Sequence, residues 1–81
     1  MYEVICTTYS PDTQISVREN TNTVNETVWL CRTYFALIRE IPPKTLKNYI
    51  RKALYCEFIM IQCKNMTISI HLIQNEEDSL S

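Results

Sequence analysis

A two-residue hydrophobic period occupies both ends of this chain and a helical period of about 3.6 occupies the middle. Glu3–Tyr9 is rich in β-branched and aromatic residues, and Gln14–Arg18 alternates with Ile15 and Val17 on one face. Between them, Ser10-Pro11-Asp12-Thr13 has the form of a type I turn, with proline second and aspartate third. This pattern predicts a β-hairpin. Glu19–Thr23 is polar and predicts a loop, in which the asparagines are the residues suited to left-handed backbone.

Thr23-Val24-Asn25-Glu26 has the form of a capping box, in which the threonine oxygen caps a helix start and the glutamate reaches back. From there Val24, Val28, Cys31, Phe35 and Ile38 form one stripe, widened by Leu30, Tyr34, Leu37 and Ile41. Glu26, Arg32, Thr33, Arg39 and Glu40 mark a narrow solvent face, so one helix is expected up to Ile41. Pro42-Pro43 stops it, since proline disfavours α backbone at Ile41 and donates no helical hydrogen bond. Proline also suits a first helical turn, so a second helix is expected from Pro43 or Lys44 to Glu57. Its apolar side is Leu46, Tyr49, Ile50, Ala53 and Leu54.

Phe58–Cys63 and Met66–Ile73 predict two strands joined by a tight turn at Lys64-Asn65. Opposed residues are then those whose numbers sum to 129. Ile59, Ile61, Cys63, Met66, Ile68 and Ile70 share the face expected to be buried. Phe58, Met60, Gln62, Thr67, Ser69 and His71 share the other. Element order is ββ-α-α-ββ, and the fold class is α+β. The simplest structure is a small two-layer sandwich, an antiparallel sheet of about four strands with both helices on one face. The pattern leaves the strand order open. Residues 1–75 are expected to form a single domain and 76–81 an acidic, disordered tail. Cys-x-Thr-Tyr occurs at Cys6–Tyr9 and at Cys31–Tyr34, but one copy falls in a strand and the other in a helix, so it is no structural repeat.

Composition narrows the chemistry. The 81 residues include no glycine, where ordinary usage gives roughly six. Phosphate-cradling loops need glycine for close backbone approach and positive φ, so Walker, dinucleotide and glycine-rich kinase loops are excluded. The net charge is −1, but Glu76, Glu77 and Asp78 hold three of the nine acids, so residues 1–75 carry a net +2. Met1–Ser10 lacks the basic and apolar regions of a signal peptide, and no apolar run approaches a membrane span. A cytoplasmic protein without membrane contact is expected, with its four cysteines as thiols. The two glycosylation sequons, at Asn25 and Asn65, then read as chance. Abundant Ile, Asn, Thr, Lys and Tyr is the bias of an AT-rich coding sequence, common in phages, plasmids and viruses.

No catalytic, cofactor-binding or metal-binding residues are assigned. Cys6, Cys31, Cys56 and Cys63 lack the close spacing of structural zinc ligands, and Cys31 and Cys63 fall on apolar faces, where cysteine packs as a small hydrophobe. Strand parity puts Cys63 and His71 on opposite sides of the sheet, out of reach for a nucleophile and its base. A metal or redox protein built on cysteine is the weakest functional class.

Two surfaces are better candidates. Lys44, Lys47, Arg51 and Lys52 hold four of the eight basic residues, and Lys44, Lys47 and Arg51 follow i, i+3, i+7 spacing. Such a stripe suits a phosphate backbone, although it is also an ordinary solvated helix face. Five tyrosines and one tryptophan point instead to protein contact, where tyrosine, tryptophan and arginine are favoured anchors. If the helices cover one sheet face, Phe58, Met60 and Tyr9 lie on the other; with Tyr55 they form the expected partner-binding set. The same surface suits homodimerisation, by sheet-to-sheet or edge pairing. The expected function is therefore a non-enzymatic module that binds a protein. By size and composition alone it suits a phage, viral or mobile-element accessory protein that inhibits or modulates a host protein, in the manner of anti-CRISPR proteins. The alternative is a nucleic-acid-binding regulator that uses the basic second helix.

Overall fold

A computed structural model describes residues 1–74. Strands β1 (Tyr2–Tyr9), β2 (Gln14–Thr21), β3 (Phe58–Cys63) and β4 (Met66–Gln74) form one antiparallel sheet. Between the hairpins lie α1 (Val24–Tyr34), a short 3-10 helix (Ala36–Glu40) and α2 (Pro43–Cys56). This is the expected α+β order. The expected tail at 76–81 lies outside the described residues.

Strand order is β2-β1-β4-β3, which the pattern alone left open. The two hairpins meet through β1 and β4, paired from Tyr2↔Gln74 to Tyr9↔Thr67. Register then sorts the side chains. Val4, Cys6, Ile61, Ile68, Ile70 and Leu72 share one face and are buried against the helices. The helices contribute Val28, Cys31, Phe35, Ile38, Leu46, Ile50 and Ala53 to the same core. The C-terminal hairpin has the expected register, with Ile59↔Ile70, Ile61↔Ile68 and Cys63↔Met66.

The expected loop at Glu19–Thr23 is largely strand, because β2 runs on to Thr21, which pairs with Tyr2. Polar residues are tolerated there because β2 is an edge strand whose side chains are mostly in water. Thr21 turns inward, and its hydroxyl is 2.8 Å from that of Thr27 on α1, tying strand to helix in the core. The capping box forms with a shift of one residue. Thr23 Oγ1 accepts from the Glu26 N–H at 3.1 Å, and Glu26 Oε2 accepts from the N–H of Asn22 at 2.6 Å. Positive φ falls on Glu57 and Lys64, not on the loop asparagines.

The single helix expected up to Ile41 is interrupted. Phe35 is extended, at φ −125° and ψ 110°, and separates α1 from the 3-10 helix. Periodicity missed this break because the same side chains stay inward across it: Phe35 and Ile38 are both buried. Hydrogen bonds from two arginine side chains fix the break. Arg39 Nε donates to the carbonyl of Arg32 at 2.8 Å, which serves an orphan acceptor at the end of α1. Arg32 Nη1 donates to the carbonyl of Ile41 at 2.8 Å and Nη2 to that of Arg39 at 3.4 Å. The arginines expected as a solvated face thus hold the chain through its reversal. Pro42 follows, its carbonyl accepting the N–H of Leu46 at 3.0 Å as α2 begins.

At the far end of α2, Glu57 has φ 63° and ψ −51°, close to the strained centre of a γ-turn. A side chain there costs about 1–3 kcal/mol relative to relaxed backbone. Glu57→Gly is expected to raise unfolding free energy by about 1 kcal/mol, less than the full strain because glycine also gains freedom when unfolded. Urea titration checks this, and a loss of stability would place the strain elsewhere. Arg32→Met is expected to lower stability by about 1–2 kcal/mol by stranding the carbonyls of Arg39 and Ile41. The same titration tests it, and an unchanged midpoint would show that water replaces the guanidinium.

Candidate functional site

Both helices lie on one side of the sheet, and no described residue covers the other face. Across β2, β1, β4 and β3 its rows read Arg18, Ile5, His71, Phe58; then Ser16, Thr7, Ser69, Met60; then Gln14, Tyr9, Thr67, Gln62. Ile5, Thr7, Tyr9, Phe58, Met60, Ser69 and His71 line an open concavity of about 390 Å³. Its rim carries large apolar groups that stay about half exposed among the described residues: Tyr9 is 42% exposed, Phe58 51% and Met60 59%. Its floor is small and polar. Thr7 Oγ1 lies 3.0 Å from Ser16 Oγ, and Arg18 Nη2 pairs with Glu3 Oε1 at 3.2 Å beside it.

Three of the four expected contact residues, Tyr9, Phe58 and Met60, therefore meet at one place. Tyr55 does not join them. It sits on α2, 88% exposed, and does not line the concavity. Only two residues separate it from Phe58 in sequence, but the chain turns at Glu57 and carries Tyr55 into the helix layer. Ile5 and His71 are contributors that residue type did not single out. Their signal was parity: His71 shares a face with Phe58 in the hairpin, and β1 supplies Ile5 once its partner is known. Trp29 was missed as well. It is 71% exposed on α1, and the spacing that sets Glu26 and Thr33 toward solvent places Trp29 between them.

The four basic residues of α2 have the expected geometry. Lys44, Arg51 and Lys52 are exposed and Lys47 half-buried, while Leu46, Ile50 and Ala53 face the core. Among the described residues, none of the four cations makes an ion pair. Lys64, by contrast, pairs with Glu40 at 3.2 Å and itself lines a depression together with Pro11, Leu37 and Met66.

The cysteines do not converge on His71. Cys6 and Cys63 lie on the helix-facing side of the sheet, His71 lies on the open side, and Cys56 is exposed at the end of α2. Among the described residues no three of His, Cys, Asp or Glu gather as a metal-binding group. Cys6 and Cys31 do meet, both buried, where β1 packs on α1. The hydrogen bond between the two thiols, and then burial, push the Cys6 thiol far above its ordinary value of 9.0. Cys6 is a neutral packing group at any physiological pH. Among the described residues, no helix is long and apolar enough to cross a membrane.

The shifted thiol predicts a pH dependence. Folding holds Cys6 protonated, whereas the unfolded chain ionises it near 9.0. The stability it contributes is thus complete below about pH 9 and falls above it by about 1.4 kcal/mol per pH unit. Urea unfolding between about pH 8 and pH 10 is expected to show a shallower decline for Cys6→Ala than for the wild type. Equal slopes would show that the thiol ionises in the folded state.

Compared with known proteins, the chain has no significant match among family models, curated proteins or solved structures.

Proposed function

We propose that this protein is a non-enzymatic interaction module that holds a protein partner against the open face of its sheet. One observation carries the reading: Tyr9, Phe58 and Met60, from two different strands, ring a single concavity that no part of the described chain covers. Burying a side chain of this size stabilises a complex by about 1.5–3 kcal/mol. The hydroxyls of Thr7 and Ser69 and the imidazole of His71 line the same depression and offer hydrogen bonds that orient the partner. Size and coding bias support the finer reading of a phage, viral or mobile-element accessory protein, one that inhibits or modulates a host protein by occupying its surface. The protein acts in the cytoplasm in this reading, with no membrane contact and no cofactor.

A second reading rests on a separate observation, the four cations of α2 that make no ion pair among the described residues. A nucleic-acid-binding regulator would lay this helix along a phosphate backbone.

The two readings separate in one experiment, a tagged pull-down from native-host lysate with and without nuclease. The partner is expected to survive nuclease. Phe58→Glu and Met60→Glu are each expected to weaken its binding at least tenfold, about 1.4 kcal/mol, with the circular dichroism unchanged. Lys47→Glu combined with Arg51→Glu is expected to leave it intact. Loss of binding in the α2 variant alone, with a steep salt dependence, would favour the nucleic-acid reading and reject the sheet face.

A further inference from the structure

We infer that two copies of this chain pair edge to edge through β3, antiparallel about a two-fold axis at Met60. This inference stands apart from the partner reading above, since it concerns the backbone edge of the sheet and not its open face.

The two edges of the sheet differ. β2 carries Arg18 and Glu19 among mostly exposed polar residues, which discourages strand addition. β3 reads Phe-Ile-Met-Ile-Gln-Cys, with no charge and no proline. None of the usual sequence devices protects this edge. The hairpin identifies its free hydrogen-bonding groups. A two-residue turn at Lys64-Asn65 closes on the pair Cys63↔Met66, which makes it a hydrogen-bonded pair of the ladder, along with Ile61↔Ile68 and Ile59↔Ile70. Phe58, Met60 and Gln62 alternate with these and turn their N–H and C=O groups to the open edge. Among the described residues their backbones make no hydrogen bond to a loop or cap.

Self-complementarity selects the register. In an antiparallel pair, opposed residues lie on the same face, so β3 pairs with itself only where opposed numbers have an even sum. With a sum of 120, Met60 opposes the second copy's Met60, and Phe58 opposes Gln62 at both ends. All three outward residues are then used, giving roughly six hydrogen bonds, two for each closely spaced pair. A slip of two residues either way leaves roughly four. On the helix-facing side, Ile59 opposes Ile61. The flanking charges agree: Glu57 precedes β3 and Lys64 follows it, so antiparallel pairing brings opposite charges together at both ends, while parallel pairing would bring like charges together. Lys64 keeps its exposed pairing with Glu40 available as well.

Sedimentation velocity from about 1 μM to about 1 mM tests the inference. The wild type is expected to rise from its 9.6 kDa monomer mass to twice that value. Gln62→Pro is expected to remain a monomer throughout. Position 62 donates no hydrogen bond to β4, so proline is compatible with the hairpin, and Gln62 lies outside the concavity, so partner capture is expected to persist. A second measurement does not depend on the proline variant folding. In a Cys56→Ser, Cys63→Ser background, Met60→Cys is expected to form an inter-chain disulfide on diamide oxidation, while Phe58→Cys, which does not oppose itself, is not. A wild type that stays monomeric at the highest concentration would overturn the inference. So would a dimer that survives in folded Gln62→Pro, or cross-linking of Phe58→Cys as readily as Met60→Cys.

Discussion

The pairing of β1 with β4 is the interaction on which the rest of this molecule depends. It joins segments from opposite ends of the described chain, so it must form against the loop-closure entropy of everything between them. In return it places two strongly apolar strands at the centre of the sheet and leaves one strand of each hairpin at an edge. Because strand side chains alternate, that one register also decides which residues enter the core. Val4, Cys6, Ile68, Ile70 and Leu72 turn to the helices together, and Ile5, Tyr9 and His71 turn away together. A slip of one residue would exchange the two sets, exposing the core and burying His71.

A second constraint is chemical. Without glycine the chain cannot end helices or turn corners at low cost in left-handed backbone. It uses substitutes instead. Two arginines cap each other's carbonyls through the break between α1 and the 3-10 helix. A diproline separates the helical segments, and Glu57 and Lys64 take positive φ at the two corners flanking β3. These corners also set the surface: Glu57 separates Tyr55 from Phe58, and Lys64 sets the hairpin that aims the β3 backbone outward.

The candidate surface follows from the same economy of parts. Two helices of this length cover one face of a four-stranded sheet, and the apolar residues on the other face have no layer of their own among the described residues. Such a patch is an expected consequence of the topology, which is why the proposed function rests on the convergence of Tyr9, Phe58 and Met60 at one concavity rather than on exposure alone. The basic face of α2 lies in the helix layer, so the two candidate surfaces belong to different layers of the sandwich and can be altered independently.

Much of this was legible in the residues. Alternation gave the strands and both faces of the C-terminal hairpin, and Thr23 with Glu26 gave the start of α1. The 3.6 period named the core-facing residues from Val28 to Ala53. These signals are local, because each reflects a side chain's position relative to its own backbone. Strand order, the Phe35 break and the strand character of Glu19–Thr21 were not legible, because each depends on a partner outside its own element: β4 for β1, Arg39 for the end of α1, and Tyr2 for Thr21. The candidate site divides in the same way. Sequence determined that Phe58 and Met60 share a face with His71, since a two-residue turn fixes hairpin parity. Only the tertiary structure brought Tyr9 and Ile5 to the same concavity and left Tyr55 outside it, since that required the register of two strands far apart in the chain and the turn at Glu57.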